Sequence, residues 1–199
     1  MHDYAIFNHS RSFIGRYLGL ASFVLASALT SMFAALSVLT GTVLFAGASV
    51  TSALVYLILH WLFNRVAWKI KWFEIPDISG VWLVRGETLN DDGTVRYHWE
   101  GELDISQTWE KILISQETAK SESNSYTATL AKLNTTKGGS ILHYSYKNTP
   151  KSDQYHELQH HTGYCEIKFA QDAKSAEAAY FNSNGRRTFG KMYLTKKEA

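Results

Sequence analysis

Charged residues are missing from one long stretch near the start of the chain, and this gap dominates the hydrophobic pattern. Residues 17–63 are 47 consecutive positions without Asp, Glu, Lys or Arg. As a single α-helix the stretch would measure about 70 Å, roughly twice the ~30 Å hydrocarbon core of a membrane. The pattern therefore predicts two membrane-spanning helices, residues 13–39 and 42–68, with a turn at Thr40-Gly41.

Two other interpretations of this apolar stretch are weaker. A signal peptide has one short apolar segment followed by a soluble chain, whereas here a second apolar segment follows at once. A hairpin buried in a soluble core would need a partner large enough to cover it. Small residues recur every fourth position, as at Gly15 and Gly19 or Ser27 and Ser31. This spacing lets helices approach closely in lipid, either within the hairpin or between copies of the chain.

Beyond Pro76, which ends the helical pattern, apolar and polar residues alternate with a period of two. Over residues 94–105 the apolar side chains fall on one face of a strand and the charged side chains on the other. Turn-forming residues separate the strands, as at residues 90–93, 136–139 and 184–185. The predicted strands are residues 79–87, 94–109, 111–118, 125–133, 140–148, 163–170, 176–182 and 187–195.

Eight short antiparallel strands are typical of an up-and-down β-barrel or a β-sandwich, and we favour the barrel. An eight-stranded barrel is filled by side chains or holds one small ligand. The first strand opens with Gly80-Val81-Trp82, which is similar to the Gly-x-Trp of lipocalin-type barrels, where the Trp closes the barrel floor. The sequence thus predicts an N-terminal transmembrane α-hairpin, residues 1–72, and an all-β, lipocalin-like barrel domain, residues 73–199.

The distribution of charge adds an orientation to this picture. Residues 72–199 contain 15 Lys and Arg against 17 Asp and Glu, so this domain lacks the basic character of a protein that binds a nucleic acid polymer. Basic residues flank the apolar stretch, and the predicted turn has none. The positive-inside rule then places both termini and the β domain in the cytoplasm. Cys165 is the only cysteine, which agrees with a reducing compartment.

Motifs of catalysis and of phosphate or metal binding are missing from the sequence. It contains no glycine-rich phosphate loop, no Gly-x-Ser-x-Gly and no paired metal-ligand motif, so we predict no enzymatic activity, no metal and no cofactor. His156, His160 and His161 lie close together, but a solvated loop between strands is favoured over a zinc site. Cys165 alternates with Ile167, which indicates a small core residue rather than a nucleophile.

Aromatic and cationic side chains on the strands are the candidate binding chemistry. Tyr97 and Trp99 share one strand face, and Tyr144 and Tyr146 share another. Aromatic rings stack on nucleobases and arginine binds phosphate through two parallel N–H donors, so a cavity holding both suits a nucleotide. The alternative is that the alternating aromatics form the core. The other candidates lie on either side of the last predicted turn: Tyr180, Asn182, Arg186 and Arg187.

The order of parts and two motifs give the whole chain a family resemblance. A two-helix membrane hairpin precedes Pro-Asp-Ile-Ser-Gly-Val-Trp at residues 76–82. The β domain closes with Ala-Tyr-Phe-Asn at residues 179–182 and Gly-Arg-Arg-Thr-Phe-Gly at residues 185–190. In these features the chain resembles the two-transmembrane, β-strand-rich membrane effectors of bacterial cyclic-oligonucleotide-based anti-phage signalling systems (CBASS).

The resemblance implies a function and a set of partners. In such systems a nucleotidyltransferase activated by infection makes a cyclic nucleotide, which the effector's cytosolic β-barrel binds. The effectors then assemble in the bacterial inner membrane and disrupt it, so that the cell dies before phage mature. The expected partners are a cyclic dinucleotide as activating ligand, membrane lipid and further copies of the chain. The motif matches carried over from the family add Trp82 and Thr188 to the candidate site residues.

Two other functions are compatible with the sequence. A membrane-tethered, lipocalin-like barrel binds a lipid or another hydrophobic ligand, and the Gly-x-Trp segment slightly favours this alternative. A structural adaptor uses the barrel to dock a protein partner, which would require a large exposed apolar patch. The basic rim residues and the tyrosine-rich strands favour the nucleotide over the lipid.

Overall fold

The computed structural model describes residues 1–41, 51–134, 138–154, 159–183 and 186–198. Four features named above lie wholly or partly outside these ranges: the start of the second predicted helix, the turns at residues 136–139 and 184–185, and His156. The chain divides into two units. Met1–Asn8 and Lys71–Ala199 form one, and His9–Ile70 form the other.

The helical unit begins with α1, a 30-residue helix over Arg11–Thr40. The Ser10 hydroxyl oxygen caps its start by accepting a hydrogen bond from the backbone N–H of Phe13. Gly41 ends it at the predicted turn with a φ of 63°, a left-handed conformation that glycine adopts without a steric penalty. The second helix, α2, spans Ser52–Arg65 and has a side-chain cap of the same kind at its start.

Among the described residues one helix, α1, is long and apolar enough to cross a membrane. Helix α2 has 14 residues, about 21 Å, which is shorter than the ~30 Å hydrocarbon core. The sequence predicted two membrane-length helices, so the described part of the chain does not give the full predicted hairpin. The cap at Thr51 starts α2 at Ser52 rather than at the predicted residue 42, and the helix ends at Arg65, three residues before the predicted end. Residues 42–50, the predicted start of the second helix, lie outside the described ranges.

The other unit contains a closed barrel of eight antiparallel strands, as the period-two pattern predicted. Each of these strands pairs with its neighbours in the chain, and the last pairs with the first. Two very short strands precede them near the N-terminus. The ten strands are β1 (His2–Asp3), β2 (Ala5–Ile6), β3 (Gly80–Leu89), β4 (Val95–Gln107), β5 (Lys111–Thr118), β6 (Ser121–Lys132), β7 (Ser140–Pro150), β8 (His161–Phe169), β9 (Ser175–Ser183) and β10 (Phe189–Lys196).

One end of the barrel is filled by side chains, and we call it the closed end. Trp82 is fully buried there and packs edge-on against Phe169, with ring centroids 5.0 Å apart. The Trp82 Nε1 donates a hydrogen bond to the carbonyl oxygen of Ile78 at 3.2 Å. Large aliphatic side chains from the other strands complete this core: Leu103, Ile105, Ile112, Ile114, Leu130, Leu142, Ile167 and Leu194.

The first eight residues belong to the barrel unit, although the sequence analysis grouped them with the membrane hairpin. Strands β5 and β6 pair with each other near their shared turn, residues 115–117 with residues 122–124. Farther from that turn the two strands no longer pair with each other. There β5 pairs with β1, and β6 pairs with β2. The N-terminal segment therefore fills a gap between β5 and β6, which we call the seam, and satisfies two strand edges that would otherwise be unpaired.

Tyr4 fixes the N-terminal segment in the barrel core. Its side chain is 3 % exposed, and its hydroxyl donates a hydrogen bond to the carbonyl oxygen of Thr108 at 3.0 Å. The same hydroxyl accepts a hydrogen bond from Gln107 Nε2 at 3.1 Å. Gln107 also accepts one from the Ile78 N–H and donates one to the Pro76 carbonyl, both at 3.0 Å. One side chain thus joins the N-terminal segment, β4 and the linker that leads into β3.

Replacing Tyr4 tests whether the N-terminal segment stabilises the barrel. Tyr4→Ala removes a buried ring and leaves the Gln107 amide without one of its partners. We expect the substitution to lower the free energy of unfolding by about 3 kcal/mol. The unfolding temperature of the detergent-purified full chain should then fall by about 6–12 °C. Tyr4→Phe keeps the ring, so its shift is expected to be smaller. Circular dichroism of the β-sheet signal during heating measures both.

The matched control is Phe7→Ala. Phe7 belongs to the same N-terminal segment, and its backbone N–H donates to the Leu130 carbonyl oxygen on β6, but it is 65 % exposed. We expect this substitution to leave the unfolding temperature almost unchanged. If Tyr4→Ala shifts the temperature no more than Phe7→Ala does, the N-terminal segment does not hold the barrel closed.

Candidate ligand-binding site

A cavity of about 600 Å³ occupies the end of the barrel opposite Trp82, which we call the mouth. It arises because on several strands the inward-facing residues change from large and apolar at the closed end to small or polar at the mouth. From the closed end to the mouth, the inward-facing residues of β3 are Trp82, Val84, Gly86 and Thr88. Those of β9, in the same direction, are Ala176, Ala178, Tyr180 and Asn182. The mouth therefore has polar walls above an apolar floor.

Three aromatic rings lie along the cavity wall because each is opposite a glycine on the neighbouring strand. The pairs in register are Trp99 with Gly86, Tyr146 with Gly163 and Tyr180 with Gly190. A Cβ atom added to Gly86 would come within 2.1 Å of Trp99 Cε2, and one added to Gly163 within 2.4 Å of Tyr146 Cζ. The glycines thus give the rings room against the wall, which leaves the lumen open between them.

Hydrogen bonds hold two of these rings in place. Trp99 Nε1, which can only donate, donates to the Tyr180 hydroxyl at 3.2 Å. The Tyr180 hydroxyl also shares a hydrogen bond with Thr88 Oγ1, 2.8 Å away. Burial raises the pKa of Tyr180, so its hydroxyl stays protonated at neutral pH. The two rings also pack edge-on, with centroids 5.9 Å apart.

A second chain of hydrogen bonds joins Tyr146 to the β9–β10 connection. The Tyr146 hydroxyl donates to Asn182 Oδ1 at 2.7 Å, and Asn182 Nδ2 donates to Thr188 Oγ1 at 2.8 Å. Burial is the main cause of a raised pKa for Tyr146, which therefore remains a neutral donor. The Asn182 amide thus links Tyr146 to Thr188 with one acceptor and one donor, and it fixes both neighbours in the wall.

Arg186 brings a cation to the mouth. Its Nη2 donates a hydrogen bond to the hydroxyl of Tyr97, whose side chain is 37 % exposed, and both residues line the cavity. Lys120 in the β5–β6 turn and Glu100 on β4 also line it. Aromatic faces beside a positioned guanidinium suit a ligand that has both planar rings and negative charge.

Asn148 and His161 complete the wall between β7 and β8, and each is more than nine-tenths buried. Asn148 Nδ2 donates to the hydroxyl oxygens of Ser121 at 3.0 Å and Ser123 at 2.8 Å. His161 Nδ1 lies 3.0 Å from the carbonyl oxygen of Gln159, to which it must donate. Burial is the main cause that lowers the pKa of His161, so the imidazole is neutral at pH 7.

The structure brings together seven of the ten residues that the sequence singled out. The seven that line the cavity are Tyr97, Trp99, Tyr146, Tyr180, Asn182, Arg186 and Thr188. The other three are not part of its lining. Trp82 belongs to the closed end, Tyr144 is 3 % exposed in the core one inward position below Tyr146, and Arg187 is exposed on the outside of the connection.

The polar wall residues Asn148 and His161 are not among the binding candidates that the sequence singled out. Asn148 could have been predicted, because it lies two residues after Tyr146 on β7 and therefore faces inward with Tyr144 and Tyr146. His161 had been assigned to a solvated loop, but it is the buried first residue of β8. Within the described ranges no group of three His, Cys, Asp or Glu side chains is placed to hold a metal ion. Cys165 is buried as predicted, and burial raises the pKa of its thiol to about 12.

Substituting Gly86 tests how the rings are accommodated. In Gly86→Ala the new methyl group overlaps the Trp99 ring, and overpacking of this kind costs about 1–3 kcal/mol. In a Trp99→Val background we expect the same glycine substitution to cost less than about 0.5 kcal/mol, because the ring is gone. Denaturant unfolding of the four proteins of this double-mutant cycle measures the difference. Equal costs in both backgrounds would mean that the ring does not need the glycine.

Two family models match the chain. Residues 73–196 match the model described as Cap15, cyclic dinucleotide receptor domain, and residues 12–69 match the model described as Cap15, TM helices. The chain is also 36 % identical over 212 residues to CD-NTase-associated protein 15 of Yersinia aleksiciae. That alignment covers 99 % of this chain and 98 % of the relative.

These matches confirm the resemblance that the sequence motifs indicated. The two models cover both units of the structure, with the receptor model on the barrel strands β3–β10 and the TM model on α1 and α2. The chain therefore belongs to the Cap15 family of CBASS membrane effectors, in which TM helices are joined to a cyclic dinucleotide receptor domain.

Proposed function

We propose that the mouth cavity binds a cyclic dinucleotide and that binding drives copies of the chain to assemble, disrupt the inner membrane and kill the infected cell. The observation that carries the proposal is the union of aromatic walls with the Arg186 guanidinium in one cavity of about 600 Å³. Bases and phosphates are the two parts of a cyclic dinucleotide, and these groups complement each of them.

Each of the seven candidate residues that line the cavity has a proposed role. Arg186 binds a phosphate, and Tyr97 positions it through the hydrogen bond from Nη2. Trp99 and Tyr146 offer ring surface to the bases. Tyr180, Asn182 and Thr188 hold these side chains in place, since their hydrogen bonds are made within the wall. Trp82, Tyr144 and Arg187 are left out of the proposed site, because they do not line the cavity.

The proposed topology has two helices that cross the inner membrane, with both termini and the barrel in the cytoplasm. Basic residues flank the apolar segment on both sides, and the turn between the helices has none. The match of residues 12–69 to a model of TM helices supports more than one span. A cytoplasmic barrel is also where a nucleotide signal made in the cell would meet its receptor.

Ligand binding can change the rest of the molecule only if the ligand prefers one of two states. The β5–β6 turn is the part of the wall best placed for such a change. Ala119 and Lys120 of this turn line the cavity, as do the adjacent strand ends at Thr118 and Ser121. The same two strands form the seam that the N-terminal segment fills. We therefore propose that the ligand acts on assembly through this turn.

A second candidate is a lipocalin-like barrel that holds a lipid. The observation in its favour is Trp82 at the closed end, which is where the Gly-x-Trp of lipocalin-type barrels places its ring. The polar mouth argues for the nucleotide. Mass spectrometry of the purified full chain separates the two candidates, because a lipid receptor is expected to carry a stoichiometric lipid that a cyclic dinucleotide does not displace.

Calorimetric titration of the full chain in detergent with cyclic di-AMP, di-GMP and di-UMP tests the binding proposal. We expect nanomolar to micromolar binding of one or more of them. Arg186→Ala is expected to weaken it about 10- to 150-fold, since hydrogen bonds to charged groups contribute about 1.5–3 kcal/mol. Arg187→Ala removes the same charge from the adjacent residue and should have little effect. Absence of binding to all three ligands, or equal losses in both variants, contradicts the proposed site.

Dye release from sealed vesicles tests the effector proposal. The full chain is reconstituted in phosphatidylethanolamine and phosphatidylglycerol vesicles, and the ligand that binds in calorimetry is added outside. We expect release that depends on the ligand and is lost at the same ligand concentration in Arg186→Ala. Ligand that binds without causing release would separate the receptor from membrane disruption and overturn the second half of the proposal.

A further inference from the structure

Asn148 and His161 lie directly opposite each other on β7 and β8, in register and with both side chains on the inner face. Residues in this relation have Cβ atoms about 4.5–5.5 Å apart, close enough for both side chains to reach one ligand group. Asn148 is 7 % exposed and His161 is 6 % exposed, and both line the mouth cavity. The sequence resemblance assigned a role to neither of them.

The orientation of the Asn148 amide follows from its neighbours. Thr118 uses its single hydroxyl proton on the carbonyl oxygen of Ser121, at 3.1 Å. The Ser121 hydroxyl, 3.2 Å from Thr118 Oγ1, is therefore the donor in that contact and accepts from Asn148 Nδ2. The Asn148 Nδ2 hydrogens are thus used on Ser121 and Ser123. Asn148 Oδ1 is buried and has no hydrogen-bond partner in the described part of the chain.

His161 supplies a second acceptor. The carbonyl oxygen of Gln159 can only accept, so His161 Nδ1 carries the proton in their 3.0 Å contact. Burial and the nearby Arg186 charge lower the pKa of the ring, which is then neutral at pH 7. A neutral imidazole that is protonated at Nδ1 has an unprotonated Nε2. Two lining residues that are in register therefore each carry a hydrogen-bond acceptor, and one of these acceptors is an unsatisfied amide oxygen, which is costly to bury.

We propose that Asn148 Oδ1 and His161 Nε2 together bind the exocyclic amino group of one base of the cyclic dinucleotide. This inference rests on the proposed function of the cavity. An amino group of adenine, guanine or cytosine has two hydrogens, one for each acceptor. Uracil has no amino group. Its single N–H lies between two carbonyl oxygens, which can only accept and would therefore face the two acceptors of the wall without a hydrogen bond. The pair thus selects a ligand in which at least one base has an amino group.

Ligand-side substitution tests the inference on the unaltered full chain in detergent. Cyclic di-IMP has a carbonyl in place of the adenine amino group and lacks the 2-amino group of guanine, so it is the matched control for both purine ligands. We expect the tighter of cyclic di-AMP and di-GMP to bind at least about tenfold more tightly than cyclic di-IMP and di-UMP. Equal binding of cyclic di-IMP or cyclic di-UMP would overturn the inference.

A variant pair tests the residue itself. Asn148→Ala is expected to weaken binding of the preferred purine ligand about tenfold and to leave binding of cyclic di-UMP almost unchanged. The preference for the purine ligand over cyclic di-UMP is then lost. Asn124→Ala makes the same change on an exposed residue of β6 and should preserve the preference. Equal losses for all ligands in Asn148→Ala would assign the residue a structural role only and contradict base selection. If the unaltered chain binds none of the four nucleotides, the proposed function of the cavity is wrong and the inference falls with it.

Discussion

Closure of the barrel depends on backbone pairing along the seam between β5 and β6. A barrel is free of exposed edges only when every strand is hydrogen-bonded on both sides. Here the two strands pair over three residues each, and residues 2–6 supply partners beyond that point. The same segment continues into α1, and the linker after α2 is bound to the same end of the barrel by Gln107. The N-terminal segment that leads into α1 is therefore also the one that holds the barrel shut.

The mouth cavity follows from the gradient of residue types on the inner face of this closed barrel. Eight strands leave an interior that large side chains can fill, and at the closed end Trp82 and its aliphatic neighbours fill it. Towards the mouth, glycines let the rings of Trp99, Tyr146 and Tyr180 lie against the wall. Hydrogen bonds among tyrosine, asparagine and threonine side chains then fix the rings, so the cavity has its shape before any ligand enters.

Much of the barrel could be predicted from the sequence, because alternation with a period of two is a strong local signal. Strand β5 has the predicted bounds, and the other seven barrel strands differ from their predictions by four residues or fewer at either end. Strands β1 and β2 could not be found in this way, since two residues show no period. Their partners are also more than a hundred residues away in the chain. The second helix was predicted from composition over residues 42–68, but α2 begins at Ser52, where Thr51 caps it.

The candidate site was predicted less completely, and the reason is physical. Alternation shows which side chains face inward, but it does not show which end of the barrel is open. Tyr144 and Tyr146 are therefore equivalent in the sequence, whereas one is in the core and the other in the cavity wall. Arg186 and Arg187 are adjacent, so alternation places them on opposite faces, and Arg187 then faces away from Thr188 and Gly190. The change from apolar to polar residues along the inner faces was the available signal, and Asn148 is the residue that it would have added.

We propose that a cyclic dinucleotide binds in the mouth of the barrel, rather than on its outer surface or at its closed end. Photo-crosslinking the full chain with an azido-substituted cyclic dinucleotide, followed by mass spectrometry of its peptides, locates the bound ligand. We expect labelled peptides from residues 95–100, 116–123 and 180–188, with labelling suppressed by unmodified ligand. Labelling confined to peptides of the closed end, or labelling that the unmodified ligand does not suppress, would contradict this proposal.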